Sequence, residues 1–206
     1  MKILLDNGLG FSHNGISSPD CKLLAGRYNR VIARAIQAEL IRRGYDAELL
    51  VPEPDDIPND ERTDRANKKA FLYGRKESIL VSIQIAHDGN GNVWKEKCGW
   101  WVCIFPGYKE DAALAKALLD SAKRHLPGFS VNHHDTKDYP PVEVPQYLLK
   151  YTHIPAAVTF NLYLDNKEES AFLLSSAGRQ AIIDLHVEGI INYADEFYKQ
   201  KWDFID

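Results

Sequence analysis

Short, continuously apolar runs alternate with stretches of helical periodicity along this chain, and that alternation leaves few folds open. Residues 2–6, Lys-Ile-Leu-Leu-Asp, read as a short buried strand, and Ser78–Gln84 is almost continuously apolar, the pattern of a strand covered on both faces. Between them Tyr28, Ile32, Ala35, Ile36 and Leu40 recur at three- and four-residue steps. That spacing predicts a helix over 24–43 with one apolar stripe, closed by Gly44 just past its end. Tyr45–Val51, Gly99–Phe105, Tyr147–Tyr151 and Ala156–Phe160 read as further strands. Asp60–Tyr73, Glu110–His125, Glu168–Leu174 and Ala177–Tyr198 read as helices. Residues 127–145, with five Pro or Gly, read as a long loop, and Lys199–Asp206 as a peripheral tail. Strands alternating with helices predict an α/β three-layer sandwich, a largely parallel sheet flanked by helices. At 206 residues, 45% of them hydrophobic, the chain suffices for one domain spanning 1–206 and not for two.

Charge narrows the partners. The formal net charge is −4, with none of the basic excess that a nucleic-acid polymer would require. No apolar run approaches the roughly 20 residues of a membrane span. The start breaks off at Asp6 and lacks the apolar core of a signal peptide, so a cytoplasmic location is expected. Cys21, Cys98 and Cys103 form no C-x-x-C pair, which fits free thiols in a reducing compartment.

In sheets of this kind ligands sit in the crevice at the carboxyl ends of the strands. Leu9 follows the first predicted strand, Gln84 ends the third and Phe160 ends the last. One crevice therefore gathers three sequence-distant positions.

Several segments in order resemble a known family. They are Ile3-Leu4-Leu5-Asp6-Asn7-Gly8-Leu9-Gly10, then Ser18-Pro19-Asp20 with Tyr28–Ala33, then Val81-Ser82-Ile83-Gln84 with Gly89-Asn90-Gly91. Pro155–Asn161 and a helix over 178–193 complete the series. Together these are similar to the N-acetylmuramoyl-L-alanine amidase type 3 family, over about residues 2–193. The resemblance implies a zinc enzyme. Its metal is held by a loop His, a Glu on the first helix and a His ending the third strand, and a Glu ending the last strand activates the water. Zinc requires N, S or anionic O ligands with one position open. Its bound water then attacks a polarised carbonyl while a carboxylate moves the proton.

The matching positions here read Leu9, Ala25, Gln84 and Phe160. Three of these side chains cannot bind zinc, and a neutral amide is a poor ligand. The expectation is an amidase-like pseudoenzyme without metal or other cofactor, whose cleft, with an apolar floor, holds a small molecule. Solo domains of this family resemble phage or prophage lysis proteins, so a phage-encoded sponge for a host immune signalling nucleotide, or a muropeptide binder, is one expectation. The candidate ligand-binding set is Asn7, Gly8, Leu9, His13, Arg27, Arg30, Gln84, His87, Phe160 and Asn161. Arg27 and Arg30 fall in the first turns of a helix whose N-terminus favours anions. A structural ion pair with Asp6 or Asp20 is the competing reading of each.

Two alternatives stay open: a protein-interaction regulator or structural protein on an amidase scaffold, and a divergent active amidase with shifted ligands. His13 and His87 lie near the lost ligand positions, but no third ligand has an evident place. The pair His133-His134 with Asp135 looks ligand-like, yet neighbouring side chains diverge and the segment reads as surface loop. His153 and His186 read as structural or surface histidines. Of Trp100 and Trp101, adjacent on a strand, one is expected in the core and the other beside the cleft. The charge run Asp60–Lys69 reads as a solvated helix face.

Overall fold

A computed structural model of the chain describes residues 1–8, 16–131 and 141–203. Leu9 and His13 lie outside the described residues, as do His133, His134, Asp135 and residues 204–206. The elements run β1 (Lys2–Asp6), α1 (Ala25–Arg42), β2 (Asp46–Leu49), α2 (Asn59–Tyr73), β3 (Ser78–Ala86), β4 (Trp101–Ile104) and α3 (Lys109–His125). They continue with β5 (Val142–Glu143), α4 (Tyr147–Tyr151), β6 (Ala156–Tyr163), α5 (Lys167–Leu174) and α6 (Ser176–Asp203). The strands form one sheet in the order β2-β1-β3-β6-β4-β5. The pairs β2–β1, β1–β3 and β3–β6 are parallel. β4 runs antiparallel to β6, with β5 parallel to β4. The result is a mixed, mostly parallel sheet in a single α/β domain.

Strand alternation divides the core. Ile3, Leu5, Val81 and Ile83 point to one face and pack with Ile32 and Ile36 of α1, Leu118 of α3 and Ile190 of α6. Leu4, Leu80 and Val158 point to the other and meet Ala66 and Ala70 of α2 and Leu148 of α4. Because β1 and β3 are covered on both sides, Ile3-Leu4-Leu5 and Ile79-Leu80-Val81 are apolar in succession rather than alternating. No described helix is long and apolar enough to cross a membrane.

Several elements differ from expectation. The two-residue strand β5 lies within 127–145, read as a loop, because Val142 and Glu143 pair with the edge of β4, and β2 and β4 are shorter than read. Tyr147–Tyr151, read as a strand, is the short helix α4. Leu148 and Leu149 are both buried, and Tyr147 and Tyr151, one turn apart, pack their rings 4.6 Å centroid to centroid. A strand would point adjacent residues to opposite faces, and five residues are too few for periodicity to separate the two. β3 continues past Gln84 to Ala86, and β6 past Phe160 to Tyr163. Gln84 and Phe160 thus face each other across the β3–β6 pair, at the edge of a register shift. Finally, α6 runs on as helix to Asp203 instead of giving way to a tail at Lys199.

Candidate functional site

The carboxyl ends of β1 and β3 open onto a cavity of about 410 Å³, walled by the start of α2 and by α4. At its floor Asp6, 1% exposed, ends β1. Its carboxylate accepts from the Arg62 guanidinium, from Ser82 Oγ at 2.6 Å and from the Gly8 N–H at 3.3 Å. Arg62 is 3% exposed and donates through Nε to the Ile57 carbonyl at 2.6 Å and through Nη2 to Asp56 Oδ1 at 3.0 Å. Buried charges are tolerated only when paired and fully hydrogen-bonded, and this cluster meets both conditions.

Gly8 has φ of +59°, and a Cβ there would stand 3.0 Å from Gln84 Cγ and 3.1 Å from Asn29 Nδ2. Glycine lets the loop after β1 close on the end of β3. Gln84 is half-buried and its amide donates to Ser82 Oγ at 3.1 Å. Asn7 is buried; its amide N–H donates to the Val51 carbonyl at 2.9 Å, and its Oδ1 is buried with no hydrogen-bond partner. Phe160 lies against Trp101, ring centroids 3.9 Å apart and planes 8° from parallel. Trp100, by contrast, is fully buried and donates to Asn161 Oδ1 at 2.8 Å.

The structure brings Gly8 and Gln84 together in the cavity and sets Phe160 beside Gln84. It does not gather the rest of the candidate set. Arg30 is 1% exposed and its guanidinium donates to the carbonyls of Val51, Glu53 and Asp55. It staples the loop after β2 rather than presenting a charge to a ligand. Of the two expected acids, Asp6 is bonded by Arg62 and Asp20 by Lys22. Arg27 is exposed on α1 and makes no ion pair among the described residues. Asn161 is buried and ties β6 to the Gln84 carbonyl at 2.8 Å, a strut within the sheet. His87 is exposed, its Nδ1 2.8 Å from the Gly89 carbonyl. His186 is fully buried between Thr159 and the Ile182 carbonyl, and burial lowers it to about 4.

Among the described residues, which do not include Leu9, the floor expected to be apolar is polar, and the residue that makes it so was hidden in a charge run. Arg62 lies four and eight residues before Ala66 and Ala70, the buried positions of α2. That spacing is the signal that sets it on the inner face.

The described residues do not fit a zinc ion. Ala25 is 2% exposed within the core and offers a methyl group. Gln84 commits its amide N–H to Ser82, and Phe160 offers a ring already stacked on Trp101. The cavity carboxylates of Asp6 and Asp56 are both paired to Arg62. Among the described residues no three His, Cys, Asp or Glu side chains are grouped to hold a metal.

No curated protein sequence matches the chain significantly. Solved structures match its fold. The catalytic domain of CwlV, an N-acetylmuramoyl-L-alanine amidase from Bacillus (Paenibacillus) polymyxa var. colistinus, is 18% identical, with TM-score 0.76 over 95% of this chain and 99% of that one. The amidase AmiC2 of Nostoc punctiforme is 17% identical, with TM-score 0.77 over 95% and 97%. The CwlD amidase of Clostridioides difficile, solved in complex with the GerS lipoprotein, is 18% identical, with TM-score 0.74 over 94% and 98%. The profile of the N-acetylmuramoyl-L-alanine amidase family matches residues 3–192, nearly the whole chain, and the protein belongs to that family.

Proposed function

We propose that this protein is a non-hydrolytic member of the amidase family whose carboxyl-edge cleft binds a small ligand without cleaving it. The observation that carries this reading is the fate of the metal-ligand positions. Ala25 is core, Gln84 is tied to its own strand and Phe160 is stacked on Trp101. None supplies an anionic or imidazole donor, and zinc chemistry needs three such donors with one open position. The cleft keeps a polar lining, with Asp6, Asp56, Asn59, Arg62, Gln84 and Gln146 around it. That lining suits a ligand rich in amide and hydroxyl groups, and a muropeptide, the substrate class of the family, has this chemistry.

Metal analysis of the purified protein tests the reading together with a peptidoglycan hydrolysis assay. The expected outcome is substoichiometric zinc and no release of peptide stems. About one zinc per chain with hydrolysis would overturn it. The combined variant Leu9→His, Ala25→Glu, Gln84→His and Phe160→Glu is expected to gain zinc, since the scaffold around those positions is that of the family.

A protein-binding role is the second reading. Phe71 and Leu72, 79% and 76% exposed near the end of α2, favour it, because adjacent exposed apolar residues mark contact surfaces. The CwlD amidase, which has this fold, was solved with a lipoprotein partner, and that supports the reading.

A further inference from the structure

A second cavity lies away from the cleft. It encloses about 910 Å³ at the opposite, amino-terminal edge of β3 and β6. Four separate segments build it: the turn at Arg75–Glu77, the start of α3, the stretch from α4 to Pro155, and the last turns of α6.

Its interior is polar at one point and apolar around it. Asp111 is 5% exposed, and one carboxylate oxygen accepts from the Ala156 N–H at 3.2 Å. Its second oxygen and the hydroxyl of Tyr193, a residue 8% exposed, have no hydrogen-bond partner among the described residues; both residues line the cavity. Neither atom is sealed from solvent, so both are free to take a hydrogen-bond partner from a molecule in the cavity. Leu149, Ile154 and Phe197 supply the apolar walls, with the exposed ring of Tyr108 beside them. Among the charged residues at the mouth, Lys201 and Glu77 neutralise each other. Arg75, Lys76 and Lys150 are exposed and in no ion pair among the described residues, against the single acid Glu110. The mouth is therefore net positive while the inner end accepts hydrogen bonds.

We propose that this cavity binds a small organic anion with a ring-sized apolar body and an N–H or O–H donor at its inner end, the chemistry shared by an aryl phosphate and a nucleoside phosphate. The donor meets Asp111 and Tyr193, the ring lies against Leu149 and Ile154, and the phosphate is held by Arg75, Lys76 and Lys150. Cations on flexible stems around an open mouth suit a phosphate approached from solvent. An aromatic wall suits the flat face of a ring. The site is independent of the carboxyl-edge cleft, and so is its test.

Calorimetric titration of the whole protein with GMP and with 4-aminophenyl phosphate tests the proposal, with guanosine, 4-aminophenol and inorganic phosphate as the separated halves. At least one of the two phosphates should saturate a single site, and which one does so identifies the ligand source. It should bind at least about tenfold more tightly than its halves, because neither half engages both ends. Asp111→Asn, which keeps the acceptor for Ala156, and Lys76→Glu at the exposed mouth should each weaken binding about tenfold, the scale of one charge-assisted contact. Gln84→Ala in the opposite cleft should leave it unchanged. The proposal fails if neither phosphate saturates at millimolar concentration. It also fails if both substitutions leave the affinity intact, or if Gln84→Ala abolishes it.

Discussion

Asp6 and Arg62 show how one pair of buried charges can organise a cleft. The guanidinium reaches Asp6, Asp56 and the Ile57 carbonyl, so it joins β1 to the loop before α2. Truncating it would strand the Asp6 carboxylate at 1% exposure. Arg62→Ala is expected to cost about 3–5 kcal/mol in urea unfolding, because breaking a buried pair leaves an uncompensated charge. The double variant Arg62→Met with Asp6→Asn should lose much less than the sum of the single losses. If the single variant costs under about 1 kcal/mol, the pair does not brace the cleft. Little of this was legible in the sequence. The order of motifs located Gly8, Gln84 and Phe160, since they sit at strand ends. Arg62 stood among seven charged residues between Asp60 and Lys69, where the helical position of one of them is easily lost. Arg30 misled for the opposite reason, because a helix N-terminus suggests an anion site and says nothing of neighbouring carbonyls.

The opening turn of α3 carries a titration of its own. Burial pushes the Asp111 carboxyl up to about 7, with Glu110 adding to the rise against the Ala156 hydrogen bond. A carboxyl whose folded pKa exceeds its unfolded value holds its proton more tightly in the folded state. Its contribution to stability is greatest below the unfolded pKa of 3.8 and is lost as pH rises to about 7. Asp111→Asn abolishes that loss. Its stability relative to the parent should therefore climb between pH 4 and pH 8, by on the order of a few kcal/mol, as thermal unfolding at several pH values would reveal. A difference that stays constant across the range would show that Asp111 ionises freely in the folded protein. At this scale the sequence was mostly readable. The helices α1, α2, α3 and α5 and the strands β1 to β3 follow from periodicity and apolar runs within a few residues. α4 was not, because Tyr147–Tyr151 is too short for a period to declare itself. The overruns of β3 and β6 escaped for another reason: their last residues pair through an irregular register that no local propensity specifies.

Both cores share one sheet, and this fixes how the whole molecule should come apart. Leu4 and Leu80 serve the face under α2 and α4, while Leu5 and Val81, their immediate neighbours on the same strands, serve the face under α1 and α6. Neither layer can be lost without exposing the sheet that supports the other. Urea unfolding followed by far-ultraviolet circular dichroism and by tryptophan fluorescence should give coincident transitions. Separated midpoints would mean that one layer unfolds alone. The fold class could be read from alternation of strands and helices, because that pattern is a property of the chain in order. The amino-edge cavity could not. Arg75, Asp111, Ile154 and Tyr193 come together only once the sheet is assembled, and no spacing in sequence announces them. The stack of Trp101 on Phe160 has a practical consequence on this same scale. Trp100 is sealed in the core, whereas Trp101 is half-buried, its ring against the residue that faces Gln84. The protein thus carries its own optical probe at the cleft. A molecule entering beside Gln84 should alter the emission of Trp101 while that of Trp100 stays fixed, so candidate ligands can be screened by intrinsic fluorescence with no label attached.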